Sequence, residues 1–147
     1  MNTVHTHLKF IKFHSPEDLH KDTLACLSQL LFKRDELDFL NELIKEYTLD
    51  LISEKTFEEV KAIATELVLL EKELKPLLFK VENHKNNLQT LLDAVIMPNE
   101  LQDYKDVHYK IMFETIAFNT EFKTLKKQIY AIIKKVMKAN KSKRLLN

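Results

Sequence analysis

The sequence predicts an all-α fold, an elongated up-down-up antiparallel three-helix bundle with coiled-coil-like packing. Two observations predict it. The 147 residues include no glycine and three prolines, so the chain is poor in the residues that form tight turns. Its apolar residues recur at alternating spacings of three and four positions over long stretches, which is the period of helices that pack along one seam.

The first helix is predicted to begin after an N-terminal strap, residues 1–14, that is either extended or a short helix. Ser15 has the side chain of a helix N-cap, and Pro16 suits the first helical position. Glu17 and Asp18 then place acids in the first turn. The apolar stripe of this helix comprises Leu19, Thr23, Cys26, Leu30, Leu37, Leu40, Ile44, Tyr47 and Leu51, and it is widened by Leu24, Leu27, Leu31, Phe39 and Leu43.

The second helix shows the most regular pattern. Thr56 and Glu59 form a capping box at its start. Two apolar series then continue in phase, which predicts one long helix that packs by its a and d positions. Pro76 interrupts neither series, so we expect a kink and not a break there. The two series are Val60, Leu67, Leu74, Val81, Leu88 and Val95, and Ile63, Leu70, Leu77, His84 and Leu91.

The third helix is predicted from a similar start and a similar pattern. Asn99 follows Pro98 and is expected to cap the helix, with Gln102 in the partner position of the capping box. Two heptad series follow and continue almost to the end of the chain. They are Leu101, His108, Thr115, Phe122, Ile129 and Val136, and Tyr104, Ile111, Phe118, Leu125 and Ile132.

Short connections around residues 53–55 and 97–98 require neighbouring helices to run antiparallel. The positions of these connections also predict a register, in which a residue of the first helix lies level with one about 87 positions later in the third. We expect residues 15–139 to form a single helical-bundle domain, and residues 140–147 to form a basic tail that frays.

The charges are balanced overall but not along the chain. Lys and Arg number 23 and Asp and Glu 22, yet the segment from Phe122 to the end has nine bases and no acid. The predicted register places Lys123–Lys138 beside acids of the first helix, so we interpret this face as largely neutralised within the bundle. The alternative is that the basic C-terminal helix binds an anionic surface or a nucleic acid.

Several classes of protein are excluded by composition. Without glycine the chain has no loop of the P-loop or Rossmann type to cradle a phosphate. No apolar run approaches the roughly 18 residues of a membrane span. The single cysteine, Cys26, has no partner for an internal disulfide and is interpreted as a small buried hydrophobic residue, and the first residues have no export signal, so we expect a cytoplasmic protein.

Histidines occupy two heptad positions that usually hold apolar residues. His84 falls at a d position and His108 at an a position, and the register places both near His20. Glu17 and His20 share one helix face, because they are three residues apart. Our main interpretation is that the core histidines are hydrogen-bonded polar residues that fix register. The alternative is a single Zn or Fe site formed by His20, His84, His108 and Glu17.

These patterns contain no catalytic constellation, neither a nucleophile with its base nor paired carboxylates. The function predicted first is therefore that of a non-enzymatic protein-interaction or self-associating structural module, with a protein partner or a homo-oligomer and no cofactor. Apolar residues off the main seams are expected to form the patch for a partner helix. The two alternatives are the metal-binding bundle and binding of anionic surfaces through the last helix.

Overall fold

A computed structural model describes residues 15–51, 56–94 and 98–146. These residues form helices and no strand, and three long helices pack against each other, so the all-α three-helix bundle is confirmed. The strap predicted for residues 1–14 lies outside the described residues. The helices are α1 (Pro16–Glu46), α2 (Thr48–Leu51), α3 (Phe57–Leu92) and α4 (Pro98–Leu146).

The start of α1 is a reciprocal capping box. The Asp18 backbone N–H donates to Ser15 Oγ at 3.3 Å, and the Ser15 N–H donates to Asp18 Oδ2 at the same distance. Ser15 is thus the predicted N-cap. At the other end, α1 stops at Glu46 and the short helix α2 follows after Tyr47, whereas the sequence predicted one continuous stripe.

The other two long helices agree with the sequence except at their ends. α3 is one helix through Pro76, so the predicted absence of a break is confirmed. α4 begins at Pro98, which places Asn99 inside the first turn and not at the predicted cap. α4 also continues to Leu146 and so includes the basic segment 140–146, whose fraying in solution stays a prediction.

The described chain divides into two compact units. The first unit contains the described residues among 15–33 and 73–119, and the second those among 34–72 and 120–146. Each unit contains a segment of α1, of α3 and of α4. In the first unit, Lys80 contacts Glu114 and His84 contacts His108, so α3 and α4 run antiparallel there. The single domain predicted for residues 15–139 stays a prediction.

The core is formed by the predicted heptad positions. All described members of the two α3 series are buried, as are those of the α4 series except for half-buried Leu101 and Tyr104. The broad apolar face predicted for α1 is wrong at Leu24 and Phe39, which are exposed. α1 buries only a narrow stripe with the spacing of a coiled-coil seam, and residues beside that stripe are left at the surface.

None of the described helices contains an apolar stretch long enough to cross a bilayer.

Candidate functional site

The first unit contains a buried polar layer contributed by all three long helices. His84 of α3 and His108 of α4 are in contact, with His84 Nε2 2.9 Å from His108 Nδ1. The other ring nitrogen of His108, Nε2, lies 3.3 Å from Oδ2 of Asp22 on α1. Thr23, also on α1, places its Oγ1 3.4 Å from His108 Nδ1. The layer therefore links a partly exposed carboxylate to two buried imidazoles.

The hydrogen-bond acceptors in this layer determine which ring nitrogens of the two histidines carry hydrogen. The Asp22 carboxylate only accepts, so His108 Nε2 carries the hydrogen that faces it. In the neutral ring His108 Nδ1 is then an acceptor, and His84 Nε2–H donates to it. The Thr23 hydroxyl hydrogen is used elsewhere, because it donates to the Leu19 carbonyl at 2.7 Å. When His108 is neutral, the hydrogens thus point in one direction, from His84 to His108 to Asp22.

This order leaves one lone pair unused. The Nδ1 atom of His84 is buried, and it has no hydrogen-bond partner among the described residues. Burial, and secondly the nearby His108, lower the pKa of His84 to about 4. His84 is therefore an uncharged imidazole at neutral pH. Its Nδ1 can accept a hydrogen bond there, and the ring becomes protonated only at acidic pH.

The structure brings together two of the four residues proposed as metal ligands. His84 and His108 meet, whereas His20 is half-exposed and Glu17 is exposed. Among residues 15–51, 56–94 and 98–146, no group of three or more His, Cys, Asp or Glu side chains is arranged to hold a metal ion. The contacts come instead from Asp22 and Thr23, which the sequence did not assign to the site. The Zn or Fe alternative stays a prediction.

The thiol of Cys26 is buried in the same unit and is a free cysteine. Its Sγ lies 3.4 Å from Thr115 Oγ1, and the Thr115 hydroxyl donates to the Ile111 carbonyl at 2.8 Å. Burial raises the pKa of Cys26, which keeps the sulfur as a thiol. This agrees with its interpretation as a small buried hydrophobic residue and not a nucleophile.

A groove of about 290 Å³ lies between α3 and α4 in the first unit. Its apolar lining includes Phe79, Val107 and Ile111, and His84 also lines it. Phe79 is 68% exposed. The heptad pattern did not single out Phe79, although this residue occupies position f, which is farthest from the core and usually polar. An aromatic at an f position was therefore an available signal.

The groove has a charged rim of both signs. Lys80 Nζ lies 3.1 Å from each carboxylate oxygen of Glu114. This ion pair joins α3 to α4 across the groove. Lys110 also lines the groove and comes from α4. An exposed aromatic thus lies beside apolar residues and a partly solvated ion pair.

The basic segment of α4 lies in the second unit. Lys126 forms an ion pair with Glu36 of α1 at 2.7 Å, as the predicted register allows. In the described part of the chain, the other eight bases that follow Phe122 form no ion pair. The predicted neutralisation within the bundle therefore occurs at one of the nine bases.

Comparisons of this chain with protein-family models, curated proteins and solved structures gave no significant match.

Proposed function

We propose that this protein is a non-enzymatic interaction module that associates with a second copy of itself through the α3–α4 groove of the first unit. The observation that carries the proposal is Phe79, a large aromatic side chain that is 68% exposed beside Val107 and Ile111. Exposed aromatics on an apolar groove are the usual anchors of protein interfaces, because their burial removes much apolar area from water.

The rim of the groove favours a second copy as the occupant. It carries Lys80 and Lys110 together with Glu114. In a two-fold dimer each patch meets an identical patch, so the Lys80–Glu114 pair within each copy can be exchanged for Lys80–Glu114 pairs between the two copies. A rim of one sign would repel its copy, whereas this rim is self-complementary.

The non-enzymatic part of the proposal is supported by the state of the candidate groups. Burial raises the pKa of Cys26, so near neutral pH it is not the thiolate that a nucleophile requires. The pKa of His84 is lowered to about 4, which makes its imidazole a weak general base. A cytoplasmic location belongs to the same proposal. Its support is the single cysteine, which is buried as a free thiol, the form that reducing compartments preserve.

The experiment is sedimentation equilibrium of the full chain over a wide concentration range. We expect an average mass that rises from monomer towards dimer. Phe79→Ala should weaken association and raise the dissociation constant of the dimer by at least about fivefold, as truncation of an interface anchor does. Phe32→Ala is the matched control, because Phe32 lies in the same unit, on α1, and is 67% exposed.

Two results would contradict the proposal. One is a monomer at every concentration tested, which would leave a different protein as the occupant of the groove. The other is equal weakening by Phe79→Ala and Phe32→Ala, which would place the interface elsewhere. Both substitutions are at the surface, so the stability of each variant should stay within about 0.5 kcal/mol of the parent chain.

A further inference from the structure

A continuous stripe of exposed residues runs along α4 in the second unit. Its members follow one another at alternating spacings of four and three, so they share one helix face within about 120°. This face differs from the buried one, which includes Leu125, Ile129 and Ile132. The stripe spans about 32 Å, at 1.5 Å per residue. Its members are Lys123, Lys127, Tyr130, Lys134, Met137, Lys141 and Arg144, with Lys138 and Leu145 beside them.

The positive charge of the stripe is not balanced locally. Its bases are all exposed, and within residues 15–51, 56–94 and 98–146 none of them forms an ion pair. Lys126 on the edge of the stripe is half-buried and paired with Glu36. The chain has no acid after Glu121. A row of cations with no acid in the same segment of its helix, residues 122–146, produces a local positive potential although the whole chain is nearly neutral.

Exposed apolar side chains lie on the same line as these cations. Met137 is 54% exposed and Leu145 is 78% exposed, and Tyr130 is also exposed. Tyr130 and Met137 are seven residues apart, so they lie one above the other between the lysines. The stripe therefore combines long, flexible lysine and arginine side chains with exposed apolar and aromatic ones. This composition is typical of helices that lie in a membrane interface.

We propose that this stripe, here called the basic stripe, binds the surface of a membrane that contains anionic lipids. The lysines contact lipid phosphates and carboxylates, and Tyr130, Met137 and Leu145 reach the level of the headgroups. The helix binds while folded, because its core residues lie on another face and stay buried in the second unit. A planar surface fits the stripe, since all its cations lie on one face of one helix.

The composition of the stripe favours lipid over nucleic acid. It contains a single arginine, although arginine is the usual reader of guanine, and a single aromatic for stacking on bases. Met137 and Leu145 add nothing to a phosphate contact, whereas they stabilise binding to a lipid interface.

The test is flotation of the full chain with phosphatidylcholine vesicles that contain roughly one quarter phosphatidylserine, with pure phosphatidylcholine as reference. We expect binding to the anionic vesicles only, and weaker binding as salt is added. The double variant Lys134→Gln, Lys141→Gln should lower the partition coefficient by about tenfold or more, because both positions lie on the stripe. Met137→Gln should also lower it.

The control variant is Lys135→Gln, Lys143→Gln. It removes the same charge from exposed positions of the same helix, but both residues lie off the stripe. We expect its partition coefficient to fall by less than about threefold, since only the long-range attraction is reduced. Circular dichroism should show the same helix content for all variants, because each changes exposed side chains only.

Three outcomes would overturn the proposal. The first is no binding to anionic vesicles at low salt. The second is an equal loss in the on-stripe and off-stripe variants, which would indicate diffuse attraction and no defined face. The third is binding to duplex DNA or RNA that is tighter than binding to vesicles and unchanged by Met137→Gln, which would assign the stripe to nucleic acid.

Discussion

His84 Nε2 and His108 Nδ1 are 2.9 Å apart, so two imidazoles share one hydrogen bond inside the first unit. A proton added to His84 would place a positive charge away from water and next to a second ring. This is why the pKa of His84 falls to about 4. His84 is thus stable as a neutral ring, and its neutrality makes the stability of the fold depend on pH.

Stability should fall as the pH is lowered from about 6.5 to 4. An unfolded histidine has a pKa near 6.5, so below that pH the unfolded chain binds a proton that folded His84 does not. The contribution is complete above pH 6.5 and is lost as the pH approaches the folded pKa of about 4. We expect a loss of about 2 kcal/mol between pH 8 and pH 5, measured by urea unfolding. His84→Leu should have a flatter pH profile by that amount, and an unchanged slope would contradict the assignment.

Replacing both core histidines by leucine should keep or raise stability at pH 7. Leucine removes two desolvated imidazoles and the unpartnered Nδ1 of His84, and it leaves Asp22 partly exposed to water. Thermal unfolding of His84→Leu, His108→Leu measures this. A loss of several degrees in Tm would mean that the hydrogen bonds of the layer stabilise the fold by more than the burial of the rings costs.

Zinc should leave the Tm of the parent chain unchanged. The two nitrogens that face each other are joined by a hydrogen bond, and among the described residues no group of three or more His, Cys, Asp or Glu side chains could hold a metal ion. A ligand that binds only the native state would raise the Tm. A rise of several degrees with micromolar zinc, abolished in His84→Leu and weakened below about pH 6, would establish the metal site instead.

Leu74→Asp should prevent folding. Leu74 is buried at a heptad position of α3, and a polar carboxyl group there costs roughly 2 to 7 kcal/mol even in its uncharged form, against a total stability of about 5 to 15. Phe118→Asp should act in the same way on α4. Lys143→Asp is the control at an exposed position, and its circular dichroism melt should match that of the parent. A normal melt for Leu74→Asp would contradict the packing of α3.

Cys26 should react slowly with a thiol reagent in the native state. The reactive species is the thiolate, and burial both raises the pKa and blocks access. We expect a rate at least about a hundredfold below that of the urea-unfolded chain, because reaction requires opening of the structure. Equal rates would show that the thiol is accessible.

Much of the fold is predictable because heptad spacing reports burial directly. The predicted offset of about 87 positions between the first and third helices is close to the contacts that form. In the first unit Thr23 and His108 are separated by 85 positions and Cys26 and Thr115 by 89. In the second unit Glu36 and Lys126 are separated by 90. The differences amount to less than one helical turn, which is the reach of a side chain.

The same tolerance explains what the sequence did not reveal about the site. The predicted offset places His20 and Asp22 equally well beside His108, with Glu17 about one turn away, and only the structure selects Asp22. Thr23 carried a signal, because threonine at an apolar heptad position bonds back to the carbonyl four residues earlier, as it does with Leu19. The spacing of residues in the sequence also does not show that the half-exposed carboxylate of Asp22 contacts and orients the buried ring of His108.

The backbone of the described residues contains no positive φ angle, and the whole chain has no glycine. Glycine explores more backbone conformations than any other residue when a chain unfolds. Its absence lowers the conformational entropy of the denatured chain, so each residue loses less freedom when its helix forms. The stability of this bundle therefore depends partly on the restricted ensemble from which it folds.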